Sequence, residues 1–303
     1  MTAQQPYAVL VPYYSNPDYL RAALASVLAQ NDPDWWCVVV DDSPEATGDA
    51  SHVAELVRGL GDSRVSYERN PGNLGVAGSF NRCFEIASDR GAELAVILHG
   101  DDLLETDYVT VIRAAHAVHV DAVCVAPKVT VIDATGVPHM PLPDRVKAVL
   151  WPRRLVTLTG EGGLQLLLRG QFFYCPAVSY RLALVERPAW DARWKQVMDL
   201  HLYGQLLLGG GSIVLEPRCV YRYRRHEASQ TQLNSATVER TVEETEVVRS
   251  CVDEARRRGW NRAARTGRRR LTIRLQAVLQ AGRALVRGDL RAAIRAARLT
   301  VER

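Results

Sequence analysis

The chain has 303 residues, of which 47% are hydrophobic and 24% charged. That balance excludes wholesale disorder, a collagen-like repeat and a low-complexity chain, and the length allows a large core without disulfides. The net charge of +4 is unevenly spread: from Glu254 to Arg303 fifteen arginines face three acids, a charge of +12, so the first 253 residues carry −8.

Met1 to Tyr7 lacks a basic stretch followed by an apolar one, so no signal peptide is expected. Apolar runs such as Leu94 to Leu98 are too short to span a bilayer. The six cysteines (Cys37, Cys83, Cys124, Cys175, Cys219, Cys251) stand more than thirty residues apart. They read as thiols in a reducing compartment, which points to the cytoplasm.

In chain order, Ala8 to Val11 reads as a buried strand, and Tyr19 to Ala29 has the apolar spacing of a helix. Trp36 to Val40 is a second strand and stops at Asp41-Asp42-Ser43. His52 to Leu60 is helical, Val65 to Glu68 a third strand, and Val76 to Ala87 a helix. Leu94 to Leu98 is a fourth strand and ends at His99-Gly100-Asp101-Asp102. Val109 to Val118 is helical, and Ala122 to Ala126 a fifth strand. This alternation predicts βαβ units and a mostly parallel sheet flanked by helices, with ligands beyond the carboxyl ends of the strands. Residues 133–160, rich in proline and glycine, read as a loop. Gly163 to Arg169 is a short helix, Ala177 to Tyr180 a strand, and Met198 to Leu208 a helix. Two short strands follow, Ile213 to Leu215 and Val220 to Tyr223. From Thr237 the pattern is helical, with Asp289 as an N-cap after Gly288.

Several corners carry chemistry. Asp101 and Asp102 follow an apolar strand, where paired carboxylates suit Mg²⁺ or Mn²⁺; the other reading is a helix start capped by Asp102 or Thr106. Asp41-Asp42 suits ribose or a base, or is simply an Asx-turn. Tyr13 and Tyr14 suit base stacking or ordinary rim packing. The Asn70–Gly75 loop offers backbone N–H groups to an anion, or is a turn. Asp199 suits a general base, or complements a helix dipole. His226, among Arg224, Arg225 and Ser229, suits a diphosphate or its metal, or is a solvated basic loop.

Taken in order, these blocks resemble the family 2 glycosyltransferases of the GT-A fold. The resemblance rests on Val9-Leu-Val-Pro-Tyr-Tyr-Ser15, Ser26-Val-Leu-Ala-Gln30, Val38-Val-Val-Asp-Asp-Ser43, Asn70-Pro-Gly-Asn-Leu-Gly75 with Asn81, and His99-Gly-Asp-Asp-Leu103. Asp199 to Gly210 and Val220 to Ser229 extend it, so it covers roughly residues 7–232. The chain departs from the family at Ser15, Met198 and Gln205.

The resemblance implies a metal-dependent, inverting transfer of a sugar from a nucleoside-diphosphate donor, with UDP expected. Pro12, Tyr14, Asp42, Asn73 and Asp101 would hold the nucleotide. Asp102 and His226 would hold Mg²⁺ or Mn²⁺, and Asp199 would deprotonate the acceptor hydroxyl. The acceptor is a small molecule, a lipid-linked group or a glycan, in cell-envelope or secondary-metabolite synthesis. The implied domains are 1–235, catalytic, with a nucleotide-sugar half 1–130 and an acceptor half 131–235, and a basic helical extension 236–303. That extension packs on the body or on a second copy, or touches the inner face of a membrane through 256–303. Nucleic acid is not an expected partner, because Trp260 is the tail's one aromatic. Two other functions stay open: a sugar nucleotidyltransferase, and a non-catalytic protein binding a polyanion or membrane surface.

Overall fold

The computed structural model describes residues 6–44, 49–152, 154–226, 238–286 and 288–301. The chain divides into two compact units. The first comprises Met1–Thr157, Phe173–Ala192 and Ile213–Arg224; the second comprises Leu158–Phe172, Arg193–Ser212 and Arg225–Arg303. The domain boundary expected at 235/236 lies outside the described residues.

The first unit opens with β1 (Tyr7–Tyr13), α1 (Pro17–Leu28), β2 (Trp35–Asp41), α2 (Asp49–Gly59), β3 (Val65–Arg69), α3 (Gly75–Asp89) and β4 (Leu94–Ile97). It continues with β5 (Leu103–Leu104), α4 (Tyr108–Val118), β6 (Ala122–Ile132), α5 (Leu142–Leu150), β7 (Val156–Leu158), β8 (Ser179–Arg181) and β9 (Ser212–Arg224). The nine strands form one sheet, ordered β3-β2-β1-β4-β8-β6-β9-β5, with β7 also paired to β9.

The sheet is mixed. Strands β3, β2, β1 and β4 are mutually parallel. β8 runs antiparallel to β4 and β6, and β5 antiparallel to β9. The parallel half is covered on both faces, which is why its strands read as unbroken apolar runs. Tyr7 to Val11 and Cys37 to Val40 are fully buried. The chain reverses its order of addition at β1, with β2 on one side and β4 on the other. A crevice at such a switch point is where open α/β sheets hold ligands.

Local chemistry sets the helix bounds. Asn16 caps α1: its Oδ1 accepts the Tyr19 N–H at 3.1 Å, and Pro17 takes the first turn. α3 buries Ala77, Phe80, Phe84 and Ala87, the face read from the sequence. Three features differ from expectation. The segment 133–160 contains α5, because Pro143 sits in its first turn, where a missing N–H costs nothing. The two short strands are one, β9, which runs through Pro217 with Glu216 paired to Arg218 at 2.8 Å. β6 extends to Ile132, well past Ala126.

The second unit is helical: α6 (Gly160–Leu167), α7 (Met198–Leu208), α8 (Val238–Arg257), α9 (Asn261–Arg269), α10 (Leu271–Val286) and α11 (Leu290–Val301). α9 packs on α6 and α8, and α11 on α10. Asp289 Oδ1 accepts the Ala292 N–H at 3.0 Å, as expected of an N-cap. No described helix is long and apolar enough to cross a membrane. None of the six cysteines forms a disulfide, and burial pushes the Cys37, Cys83, Cys124 and Cys251 thiols well above their usual range.

In the first unit, Asn81 of α3 clamps the chain at Trp190. Its Nδ2 donates to the Trp190 carbonyl at 2.8 Å, and its Oδ1 accepts the Trp190 N–H at 3.0 Å. Trp190 is buried against Phe80 and Tyr180. Asn81→Ala removes both bonds and is expected to cost about 1–3 kcal/mol. Urea denaturation checks this; an unchanged midpoint would contradict it.

Candidate functional site

The carboxyl ends of β1, β2 and β4 lie side by side. The Asp42 N–H donates to the Tyr13 carbonyl at 2.8 Å, and the Leu98 N–H to the Leu10 carbonyl at 2.8 Å. Pro12 is half-buried at this edge, Tyr13 buried, and Tyr14 56% exposed. An exposed ring at a strand end is available to stack on a planar ligand.

Asp41 and Asp42 face opposite ways, as neighbours in an extended chain must. Asp41 is structural. It accepts from the Tyr67 hydroxyl at 2.6 Å and the Ser43 N–H at 2.8 Å, and Arg69 lies 3.6 Å away. Asp42 Oδ1 accepts from Asn70 Nδ2 and from the Leu74 N–H, both at 2.8 Å. Its Oδ2 takes no hydrogen bond among the described residues. Asn73 Nδ2 donates to the Asp42 carbonyl at 2.9 Å, and Asn73 Oδ1 accepts the Gly75 N–H at 3.1 Å. The Asn70–Gly75 loop therefore spends its Leu74 and Gly75 N–H groups internally. It fixes Asp42 and does not offer those two donors to an anion.

The second corner follows β4. Asp102 has no solvent exposure. Its Oδ2 accepts the Tyr221 hydroxyl at 2.9 Å, and its Oδ1 accepts the Arg224 N–H at 2.7 Å. Arg224 also donates from Nε to the Asp101 carbonyl at 2.7 Å and from a terminal nitrogen to the carbonyls of Asp133 and Ala134. One arginine thus ties the corner to the turn after β6. Neither Asp102 nor Thr106 caps α4, whose N-cap is Asp107.

The Ser26–Gln30 block supports this corner from α1. Ser26 Oγ accepts the Leu104 N–H at 3.1 Å. Gln30 donates to the Glu105 carbonyl at 2.8 Å and accepts the Val109 N–H at 3.0 Å. These side chains fix the segment that follows the two aspartates.

Among the described residues, His99, Asp101 and Asp102 form the cluster able to hold a metal ion, with one donor atom of each within 4.8 Å of the others. Two carboxylates and an imidazole fit a hard or borderline divalent cation such as Mn²⁺ or Mg²⁺. His99 escaped the sequence reading as a ligand. Its position two residues before Asp101, at a strand end, was the available signal. Tyr221 and Arg224 lay inside a quoted block but without a role there.

Asp199 and His226 belong to the second unit. Asp199 lies in the first turn of α7. Its Oδ2 accepts from Gln171 Nε2 at 2.7 Å, and its Oδ1 from the Leu200 N–H at 2.9 Å. Gln171, absent from the sequence reading, thus orients this carboxylate. His226 is half-buried, and Glu227 to Ser229 lie outside the described residues.

Burial raises the Asp102 carboxyl well above its usual range, and the Asp101 charge adds to this; the Arg224 N–H, the Tyr221 hydroxyl and the Arg224 charge oppose it. The folded state then holds a proton at Asp102 more tightly than the unfolded chain. Stability of the metal-free protein is expected to fall as pH rises from the ordinary carboxylate value through the raised one. Asp102→Asn keeps the shape and removes the charge. In chelator at neutral pH it is expected to raise the thermal midpoint by about 2–4 °C, the response to about 1 kcal/mol. A lowered midpoint in differential scanning fluorimetry would contradict this.

Known proteins resemble this chain at three levels. Residues 8–179 match the model of the family described as Glycosyl transferase family 2. A stretch of 97 residues is 34% identical to the uncharacterized protein MT1568 of Mycobacterium tuberculosis, and covers 32% of this chain and 28% of that protein. Among solved structures, S. aureus TarS 1–349 in complex with UDP-GlcNAc is similar at TM-score 0.63 and 18% identity, over 88% of this chain and 72% of that one. The mannosyltransferase PcManGT from Pyrobaculum calidifontis, in complex with GDP-Man and Mn²⁺, is similar at TM-score 0.64 and 16% identity, over 97% and 79%. These likenesses show the GT-A fold, with its mixed sheet flanked by helices and its C-terminal helices. With more than half of its length matched by the family model, the chain belongs to glycosyl transferase family 2.

Proposed function

We propose that the protein transfers a sugar, with inversion, from a nucleoside-diphosphate donor to an acceptor hydroxyl. One observation carries this reading: the ends of three adjacent strands bring together Asp42, whose Oδ2 takes no bond from the described residues, and the cluster of His99, Asp101 and Asp102. Solved relatives that bind UDP-GlcNAc, or GDP-Man with Mn²⁺, support a nucleotide-sugar donor. UDP is the donor nucleotide assigned here.

In this reading Asp42 accepts from the ribose or uracil, with Pro12, Tyr14, Asn73 and Asp101 around the nucleotide. Asp101 and Asp102, with His99 or His226, hold Mg²⁺ or Mn²⁺. When bound, such a cation supplies Lewis-acid stabilisation of the departing diphosphate. Tyr221 and Arg224 keep Asp102 oriented, as partners of metal-ligating carboxylates do. Asp199, aimed by Gln171, takes the proton of the acceptor hydroxyl as its oxygen bonds to the anomeric carbon. The bond from that carbon to the diphosphate oxygen breaks, and the nucleoside diphosphate leaves.

The exposed residues Leu271, Leu275, Val278 and Leu279 on α10, and Leu290 and Ile294 on α11, support a peripheral contact of segment 256–303 with an anionic membrane surface. That contact suits a lipid-linked or cell-envelope acceptor at the cytoplasmic face.

Calorimetric titration with UDP, GDP and TDP, each with and without Mn²⁺, tests the donor site. UDP is expected to bind only with metal, and Asp102→Ala to abolish that binding. Metal-independent binding of all three nucleotides, or of none, would refute the assignment. Asp199→Asn is expected to retain nucleotide binding and lose about 10²–10⁴ in turnover. Turnover at the wild-type rate would remove Asp199 as the base.

A further inference from the structure

The second unit carries a concentration of charge that sugar transfer does not use. A cavity of about 410 Å³ has Arg256, Arg265 and Arg268 on its walls. Another, of about 450 Å³, is lined by Arg249, Arg256, Arg268, Arg270 and Arg274. Arg256 and Arg268 belong to both, so the cavities form one cleft along α8, α9 and the start of α10. Six guanidinium groups line it, with Asp253 as the one acid. Asp253 is itself largely exposed and lies 3.4 Å from Arg256.

Other arginines of this unit have carboxylate partners. Arg257 and Arg258 pair with Glu254, Arg262 with Glu161, and Arg295 with Glu239. Among the described residues Arg265, Arg268 and Arg274 pair with none. The Nε of Arg274 is buried and makes no hydrogen bond among them. Like charges gathered in a partly desolvated cleft repel one another, and a bound anion relieves that repulsion.

The backbone is shaped to bring these groups together. Gly267 lets α9 lie close to α8: a Cβ there would come within 2.5 Å of Val252 Cγ2. Arg270 ends α9 at φ 44° and ψ 42°, a left-handed conformation that usually takes glycine or asparagine. Here it holds an arginine that is only 3% exposed and lines the cleft. The turn at Arg270 also brings Arg274 of α10 to the same wall as Arg268 of α9.

We propose that this cleft binds the phosphate group of a ligand, a phosphomonoester or phosphodiester. Guanidinium forks match phosphate oxygens in paired hydrogen bonds. The phosphate comes either from the headgroup of an anionic lipid or from a soluble phosphorylated molecule. This site is independent of the nucleotide-sugar reading.

The test uses the full chain in chelator, which silences metal-dependent nucleotide binding. Two probes are offered: inorganic tripolyphosphate by calorimetry, and vesicles by co-sedimentation. The vesicles contain phosphatidylcholine and phosphatidylglycerol in equal parts, with phosphatidylcholine alone as the control. The double variant Arg268→Gln and Arg274→Gln removes two cleft charges. The double variant Arg21→Gln and Arg58→Gln removes two exposed charges of the first unit, outside the cleft and outside segment 256–303. Circular dichroism verifies that both fold. The cleft pair is expected to weaken binding about tenfold or more, and the first-unit pair to leave it nearly unchanged. Loss confined to vesicles identifies the lipid headgroup, and loss of tripolyphosphate binding identifies a soluble phosphate. Equal losses in both double variants would reduce the effect to diffuse charge and overturn the proposal. So would a wild-type protein that binds neither probe.

Discussion

A carboxylate with no access to water is held in place only by what surrounds it, and Asp102 has two partners from one distant strand. Tyr221 and Arg224 of β9 reach it across 119 and 122 residues of chain. Around that contact the rest of the first unit is arranged. β9 pairs with the short strand β5 that follows Asp102, and Ser26 and Gln30 of α1 pin the same segment from the other side. Arg224 extends the grip to Asp101, Asp133 and Ala134. Burial disfavours the ionised form of Asp102 and raises its pKa, with the Asp101 charge adding to this.

Much of this was legible in the chain. Parallel strands buried on both faces appear as apolar runs; β2 ends abruptly at Asp41, and the apolar run of β4 gives way after Leu98 to His99-Gly100-Asp101-Asp102. That pattern located both carboxylate corners. It did not say how the two aspartates of the first pair divide their partners; alternation along the extended chain turns Asp41 to Tyr67 and Arg69 and Asp42 to Asn70. The roles of Tyr221, Arg224 and Gln171 were hidden because they arise from contacts that no local spacing encodes. α5 was hidden for another reason. Its prolines read as loop, whereas Pro143 stands in the one turn of a helix that tolerates it.

The second unit follows a different logic. Its helices expose apolar residues on α10 and α11 and gather arginines in the cleft along α8 and α9. Basic charge spread along a helix is normally paired or solvated, as at Glu254 and Glu239. Concentrating it in a concavity is costly unless an anion occupies the space. The tail's excess charge, visible from composition alone, thus resolves into paired surface arginines and a cleft with a chemistry of its own.

The corner after β4 and the carboxylate after β2 are proposed to form one donor site. Anomalous diffraction from crystals soaked with UDP and Mn²⁺ tests it most directly. One manganese peak is expected among His99, Asp101 and Asp102, with the nucleoside within hydrogen-bond reach of Asp42 Oδ2. A manganese peak away from those three side chains, or a nucleoside without contact to Asp42, would contradict it.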